Sequence, residues 1–323
     1  MKISILGLGA YGIALSKAFY KNDNKVSIWS RFEDEVQSVL IKRENQRLLP
    51  GVKIPKEVVI TSDLKDCIEK SKVIVIAVPA TAVREVAKQL SQIITEEQVI
   101  CIVTKGIEQK TNKLMSQVVF EETKSNNICF LSGPSFAKEL ADGTEEGLIV
   151  ASEDNSNNIL IKVCLENESI FVNTTKDIVG VQIAAAVKNV FAILLGICDG
   201  LKLSESTRAA ILTCIVNDLR IIIEVLGGKE QTVFSYAGIG DLLLTCMSDT
   251  SRNYTLGKHI GQGLSMKEAL AKMNTKTVEG VYTLKSITSI LKKKEIQVKS
   301  ISLVYDMLYG NVKEHDILRR IKR

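Results

Sequence analysis

Lys188 stands in the middle of GVQIAAAVKNVFAIL (180–194), a stretch apolar nearly all round that reads as a buried helix. An ammonium group there has two explanations. Its stem can lie on apolar surface while its charge reaches water. Alternatively, loss of hydration lowers its pKa and suits it to moving protons near neutral pH. On an ideal helix Lys188 shares a stripe with Val181, Ala184, Phe191 and Leu195, so its surroundings should be largely apolar. The stretch alone leaves both explanations open.

A second group of residues has the spacing for nucleotide chemistry. Gly7, Gly9 and Gly12 form GxGxxG between a strand-like run and a helical pattern, and a second strand ends near Trp29. In that setting glycines permit a tight turn and bring backbone N–H groups to a pyrophosphate, which the positive helix end favours. Where an acidic residue would accept hydrogen bonds from the adenosine ribose, roughly 20 positions on, the chain has Trp29, Ser30 and Arg31. An arginine can meet a 2′-phosphate, so NADP(H) is admitted beside NAD(H). Glu33 and Asp34 follow closely, and a loop could bring one of them in.

Four further clusters carry polar groups at turns. VTKGIE (103–108) puts Lys105 just past a strand end, and SGPSFAKEL (132–140) puts a Gly-Pro turn before a helix. AGIGDLLLTC (237–246) sets Asp241 in a glycine-broken turn, and TSRNYTLG (250–257) opens a helix with Ser251, Arg252 and Asn253. Singly, each has an ordinary reading as a turn or helix cap. Together with Lys188 they gather cations and hydrogen-bond donors, and an arginine beside the free N–H groups of a helix start suits a phosphate.

The elements that must position these residues divide the chain in two. Val- and Ile-rich runs at 2–8, 25–29, 58–61, 73–78, 99–104 and 128–133 read as strands, with helical patterns at 10–21, 34–43 and 81–94 between several of them. This is the signature of βαβ units in a parallel sheet. Two more strands, near 146–152 and 169–175, flank the polar EDNSNN, read as a turn, and could make the sheet mixed. From about Gly180 the strand-like runs stop, and helical patterns follow at 180–198, 204–227, 253–262, 266–273, 280–293 and 300–309. The expected class is α/β: an N-terminal Rossmann-type doubly wound sheet over 1–178 and a C-terminal all-helical domain over 179–323. A ligand is expected at the seam between them.

Composition narrows the partners. At 323 residues the chain exceeds what one core usually serves, and its 46% hydrophobic and 24% charged residues are ordinary for a globular protein. The net charge of +5 comes from 42 basic and 37 acidic residues spread along the chain, which suits a small anion better than nucleic acid. ILRRIKR at the C-terminus reads as a solvated helix end. Seven cysteines without a CxxC pair read as small buried hydrophobes in a reducing cytoplasm, not as disulfides or a zinc site. The two histidines, His259 and His315, form no metal-binding pattern, so no metal is expected. The N-terminus begins directly on a strand with no leader pattern. The one stretch long and apolar enough to span a membrane, 179–198, carries Gln182, Lys188 and Asn189 at its centre, which argues against stable insertion.

GLGAYGIAL, TKGIE, SGPSFAKEL, GVQIAAAVKNV, AGIGDLLLTC, SRN and VEG (278–280) occur in the order found in bacterial NAD(P)-dependent glycerol-3-phosphate dehydrogenases. The chain resembles that family from the first strand to about residue 310. Two departures are small: Ala10 stands where serine is common, and Ser135 where threonine also occurs. The resemblance implies reversible reduction of dihydroxyacetone phosphate to sn-glycerol 3-phosphate, supplying phospholipid synthesis, with the nicotinamide hydride going to C2. It implies that Lys188 donates and accepts the proton and that Lys105 contacts substrate and cofactor. Gly133, Ser135, Asp241, Ser251, Arg252 and Asn253 fall on substrate positions. Gly7, Gly9, Ala10, Tyr11, Gly12, Arg31, Ala137, Arg252, Val278 and Glu279 fall on cofactor positions. A homodimer is what the family suggests, and the cysteine usage points to the cytoplasm.

The residues themselves agree. Hydride arrival at a ketone leaves an alkoxide, which a nearby ammonium both stabilises and protonates. Asp241 could hold Lys188 in place and raise its pKa again, and Arg252 is a forked, permanent cation for a dianionic end group. Two other readings stay open: a Rossmann β-hydroxy acid dehydrogenase with a catalytic lysine, and a non-catalytic NAD(P)-sensing protein.

Overall fold

The computed structural model describes residues 1–310 and 317–322; His315 and Arg323, the last residue of ILRRIKR, lie outside them. The chain forms two compact units. One comprises Met1–Thr104 and Met115–Ile178, the other Lys105–Leu114 and the chain from Val179 on.

The first unit is built on eight strands: β1 (Lys2–Leu6), β2 (Lys25–Trp29), β3 (Val59–Thr61), β4 (Val73–Ile76), β5 (Val99–Ile102), β6 (Ile128–Ser132), β7 (Glu146–Ala151) and β8 (Ile170–Thr175). They lie in the order β3-β2-β1-β4-β5-β6-β7-β8. Every neighbouring pair is parallel except β6 with β7, so the sheet is mixed, as expected. The residues of β4, β5 and β6 are buried along their whole length, which is why they read as unbroken Val/Ile runs instead of alternating patterns. The intervening helices are α1 (Ala10–Lys21), α2 (Glu33–Lys42), α3 (Leu64–Ile68), α4 (Val83–Leu90), α5 (Met115–Thr123), α6 (Ala137–Asp142) and α7 (Asn155–Leu165). EDNSNN is not a turn but the start of α7. Asp154 caps it by accepting from the Ser156 N–H at 2.8 Å, which makes a helix of a stretch whose composition says loop.

The second unit is helical: α8 (Ile178–Gly200), α9 (Glu205–Val225), α10 (Asp241–Cys246), α11 (Arg252–Gly261), α12 (Met266–Lys272), α13 (Glu279–Lys293), α14 (Lys299–Tyr309) and α15 (Ile317–Lys322). Residues 181–198 of α8 are all buried, so its apolar character is that of a core helix. α8 and α11 run side by side in the same direction. A Cβ on Gly257 would strike the Ile193 carbonyl, one on Gly261 the Ile197 carbonyl, and one on Gly196 the Tyr254 carbonyl. This backbone-to-backbone approach, possible only for glycine, sets the start of α11 beside the middle of α8. Asp199 near the end of α8 fastens the far end, accepting Arg208 of α9 at 2.7 Å and pairing with Lys258 of α11 at 3.1 Å.

Candidate active site

In the second unit the sequence-predicted residues gather around one buried carboxylate. Asp241 is fully buried and receives Lys105 Nζ on Oδ2 at 2.7 Å and Lys188 Nζ on Oδ1. Lys188, 5% exposed, also donates to Thr245 Oγ at 2.7 Å. The Thr245 hydroxyl passes its own hydrogen to the Asp241 carbonyl at 2.6 Å, leaving its lone pairs to the ammonium. Asp241 does not sit within the glycine-broken turn but is the first residue of α10 after it. On that helix Thr245 is one turn on, at i+4, and therefore faces the same way. Thr245 is the site residue missed from sequence; reading 241–246 as a helix would have placed it.

The electrostatics follow from burial. Loss of hydration pulls the Lys188 ammonium down to about 7; Asp241 works against that fall, and Lys105 adds to it. Burial opposes ionisation of Asp241, but Lys105 and Lys188 outweigh it and hold the carboxyl below the ordinary range. The centre thus keeps a fixed anion and a lysine poised to exchange its proton near neutrality.

Around it stand the helix starts. Ser251 caps α11, accepting from the Tyr254 N–H at 3.3 Å. Arg252 is exposed and makes no ion pair or hydrogen bond among the described residues. Asn253 is buried, and its Oδ1 accepts the Gly280 N–H at 2.9 Å, joining α11 to the start of α13. Val278 precedes α13 and Glu279 opens it. Burial raises the Glu279 carboxyl, with Arg252, Lys105 and Lys188 pulling it back, and Asn189 Nδ2 reaches it at 3.5 Å.

The first unit brings together the remaining residues. Gly7 has φ +134°, and a Cβ there would meet the Ala77 carbonyl oxygen at 2.5 Å; a Cβ on Gly12 would strike the Gly7 carbonyl. Both glycines are demanded by the chain itself. Gly9 differs: a Cβ there would meet nothing within 4 Å, and Gly9 caps α1 with no side-chain hydrogen bond. The room beside a helix start is the cradle a dinucleotide pyrophosphate needs, so the residues present fit NAD(H) or NADP(H). Ala10 and Tyr11 open α1, and the Tyr11 and Ser135 hydroxyls are 2.8 Å apart. Ala137 begins α6. Gly133 has a packing reason of its own, because a Cβ there would lie 2.5 Å from the Gly147 carbonyl on β7. Arg31, just past β2, is exposed with its guanidinium 4.7 Å from the centre of the Phe32 ring. Glu33 is drawn off elsewhere: it accepts Gln37 Nε2 at 2.6 Å and is hydrogen-bonded by Ser62. Among the described residues no group of His, Cys, Asp and Glu could hold a metal ion. The seven cysteines are unpaired and six are buried; burial pushes the Cys67 and Cys198 thiols up to about 12.

A doubly wound sheet with a glycine-rich first turn, joined to a helical unit holding a buried lysine–carboxylate centre, defines a nicotinamide-nucleotide oxidoreductase. The chain belongs to the NAD-dependent glycerol-3-phosphate dehydrogenase family. The profile of that family's N-terminal part matches residues 2–158, and that of its C-terminal part matches residues 177–319. The chain is 36% identical over 313 residues to a glycerol-3-phosphate dehydrogenase [NAD(P)+] of Fusobacterium nucleatum, covering 96% of this chain and 93% of that one. It is 35% identical to that of Clostridium tetani, covering 95% and 88%. The crystal structure of glycerol-3-phosphate dehydrogenase from Coxiella burnetii has TM-score 0.90 at 31% identity, over 99% of this chain and 97% of that one.

Proposed function

We propose that the chain catalyses the reversible, NAD(P)H-dependent reduction of dihydroxyacetone phosphate to sn-glycerol 3-phosphate in the cytoplasm, supplying phospholipid synthesis. The observation that carries the reading is the Lys105–Asp241–Lys188–Thr245 centre, in which the Lys188 ammonium is drawn down to about 7. The bound nicotinamide supplies the hydride that goes to the C2 carbonyl carbon. Lys188 protonates the C2 oxygen as its charge develops, and in the reverse direction takes the proton back. Asp241 keeps Lys188 charged enough to donate and orients its Nζ, while Lys105 adds a second positive charge beside the substrate oxygens. Arg252, forked and exposed, holds the phosphate together with the N–H groups at the start of α11, for which Ser251 and Asn253 fix the geometry. Binding energy spent at the phosphate then orients the carbonyl.

In this reading residues 1–178 hold the nucleotide and residues 179–323 the substrate and proton donor. Gly9, Ala10 and Tyr11 offer the pyrophosphate site, which Gly7 and Gly12 shape; Arg31 takes the adenosine end, and Ala137, Lys105, Arg252, Val278 and Glu279 complete the cofactor contacts. Gly133 and Ser135 adjoin the substrate. The active form is a homodimer, checked by sedimentation at twice the chain mass of 35.6 kDa. No observation favours the β-hydroxy acid alternative. Steady-state oxidation of NADH and NADPH with dihydroxyacetone phosphate, set against 3-oxo acids, tests the reading. Turnover with the phosphorylated ketone is expected, and turnover with the acids alone would replace the reading with the alternative.

A further inference from the structure

The nucleotide corner contains a buried junction that neither catalysis nor direct ligand contact requires. Asn45, 6% exposed, lies beyond α2 in the loop leading to β3. Its Nδ2 donates to the Leu8 carbonyl at 3.1 Å and to Glu35 Oε1 at 3.2 Å, and its Oδ1 accepts the Leu48 N–H at 3.2 Å. Both amide hydrogens and the amide oxygen are therefore used. The other oxygen of Glu35 accepts Ser30 Oγ at 2.8 Å, and Ser30, 5% exposed, immediately precedes Arg31.

Leu8 lies between Gly7 and Gly9, and this gives the Asn45 bond its consequence. In a planar trans peptide the carbonyl and the next N–H point opposite ways. Holding the Leu8 carbonyl against Asn45 turns the Gly9 N–H away from that side, and among the described residues this N–H meets no acceptor. The same amide reaches the end of β2 through Glu35 and Ser30. Asn45 and Ser30 thus both engage the Glu35 carboxylate, with Arg47 3.8 Å from it, while Arg31 stays exposed just past β2.

We propose that Asn45 is a positioning residue for the nucleotide: through Leu8 on one side and Glu35 and Ser30 on the other, it fixes the Gly9 N–H relative to Arg31. The proposal rests on the dinucleotide reading given above. It predicts a division of effects. Loss of the Asn45 donors disturbs the pyrophosphate site and weakens every ligand that carries a pyrophosphate, whereas loss of Glu35 alone disturbs the 2′-end.

The test is equilibrium binding of ADP, NADH and NADPH to the full chain, followed by calorimetry or by fluorescence of Trp29, its one tryptophan. Asn45→Asp keeps the acceptor for Leu48 but sets an oxygen against the Leu8 carbonyl and Glu35. It is expected to raise Kd for all three ligands about tenfold. The KM for dihydroxyacetone phosphate at saturating nucleotide should stay close to wild type, whereas the unfolding temperature of the free protein should fall, because the new oxygen faces the Leu8 carbonyl and the Glu35 carboxylate. Glu35→Ala is expected to raise Kd for NADPH more than for NADH and to leave ADP almost unchanged. A folded Asn45→Asp protein with wild-type Kd values overturns the proposal. Should that variant not fold, Glu35→Ala decides alone, and equal Kd values to wild type for all three ligands overturn it. Wild-type protein that binds none of the three would overturn the dinucleotide reading itself.

Discussion

At the scale of residues, the account turns on one proton. Burial of Lys188 by itself would leave a neutral amine, useless for stabilising an alkoxide, and a fully solvated lysine would hold its proton too tightly to return it. Asp241 sets the balance between these limits, and its place at the start of α10 lets Thr245 share the ammonium. Lys188→Ala should lower kcat by about 10²- to 10⁴-fold, the usual contribution of a positioned proton donor, while nucleotide Kd stays near wild type. Turnover at the wild-type rate would remove Lys188 from the chemistry. Reduction needs the ammonium form, whose fraction falls as pH rises through about 7, so kcat/KM for reduction should decline above that pH. Oxidation needs the neutral amine, so it should rise over the same range. Asp241→Asn removes the anion that holds the Lys188 pKa up, so the decline should move to lower pH. It also deprives the buried Lys188 of its carboxylate partner, at a cost of about 3–5 kcal/mol in stability. Lys188 was legible in the sequence because one charge interrupts an apolar run. Thr245 was not, because its meaning depends on Asp241 opening a helix, which the glycines ahead of it concealed.

At the scale of elements, glycines that look alike in the sequence do different work. Gly7 and Gly12 make room for the chain's own backbone, whereas the space beside Gly9 is empty of protein. Gly12→Ala should therefore lower the unfolding temperature, since overpacking costs about 1–3 kcal/mol. Gly9→Ala should melt like wild type but bind NADH and NADPH more weakly. Thermal melts paired with nucleotide titrations separate the two, and equal losses of stability for both variants would contradict the division. The parallel strands were legible as Val/Ile runs because burial on both faces removes the alternation a surface sheet would show. α7 was hidden by its Asn- and Ser-rich start, which Asp154 caps and whose later turns bury Ile161, Cys164 and Leu165. The glycine contacts between α8 and α11 were invisible too: residues some sixty positions apart share a crossing that no local pattern announces.

At the scale of the whole molecule, the chain joins a sheet that presents backbone N–H groups to a helical unit that buries a lysine and leaves an arginine exposed. The order of motifs along the chain already pointed to the family, and the family profiles and relatives bear that out from end to end. What the order of motifs could not supply was the sign of the Lys188 shift, which depends on two cations and one anion meeting in three dimensions. The central claim is that the reduced nicotinamide delivers its hydride to C2 of dihydroxyacetone phosphate. The most direct measurement is to supply NADH or NADPH carrying deuterium at the transferable C4 position of the ring and to examine the product by mass spectrometry and NMR. The account predicts sn-glycerol 3-phosphate bearing one deuterium at C2; a reduced product without that label, or no reduction of the ketone at all, would contradict it.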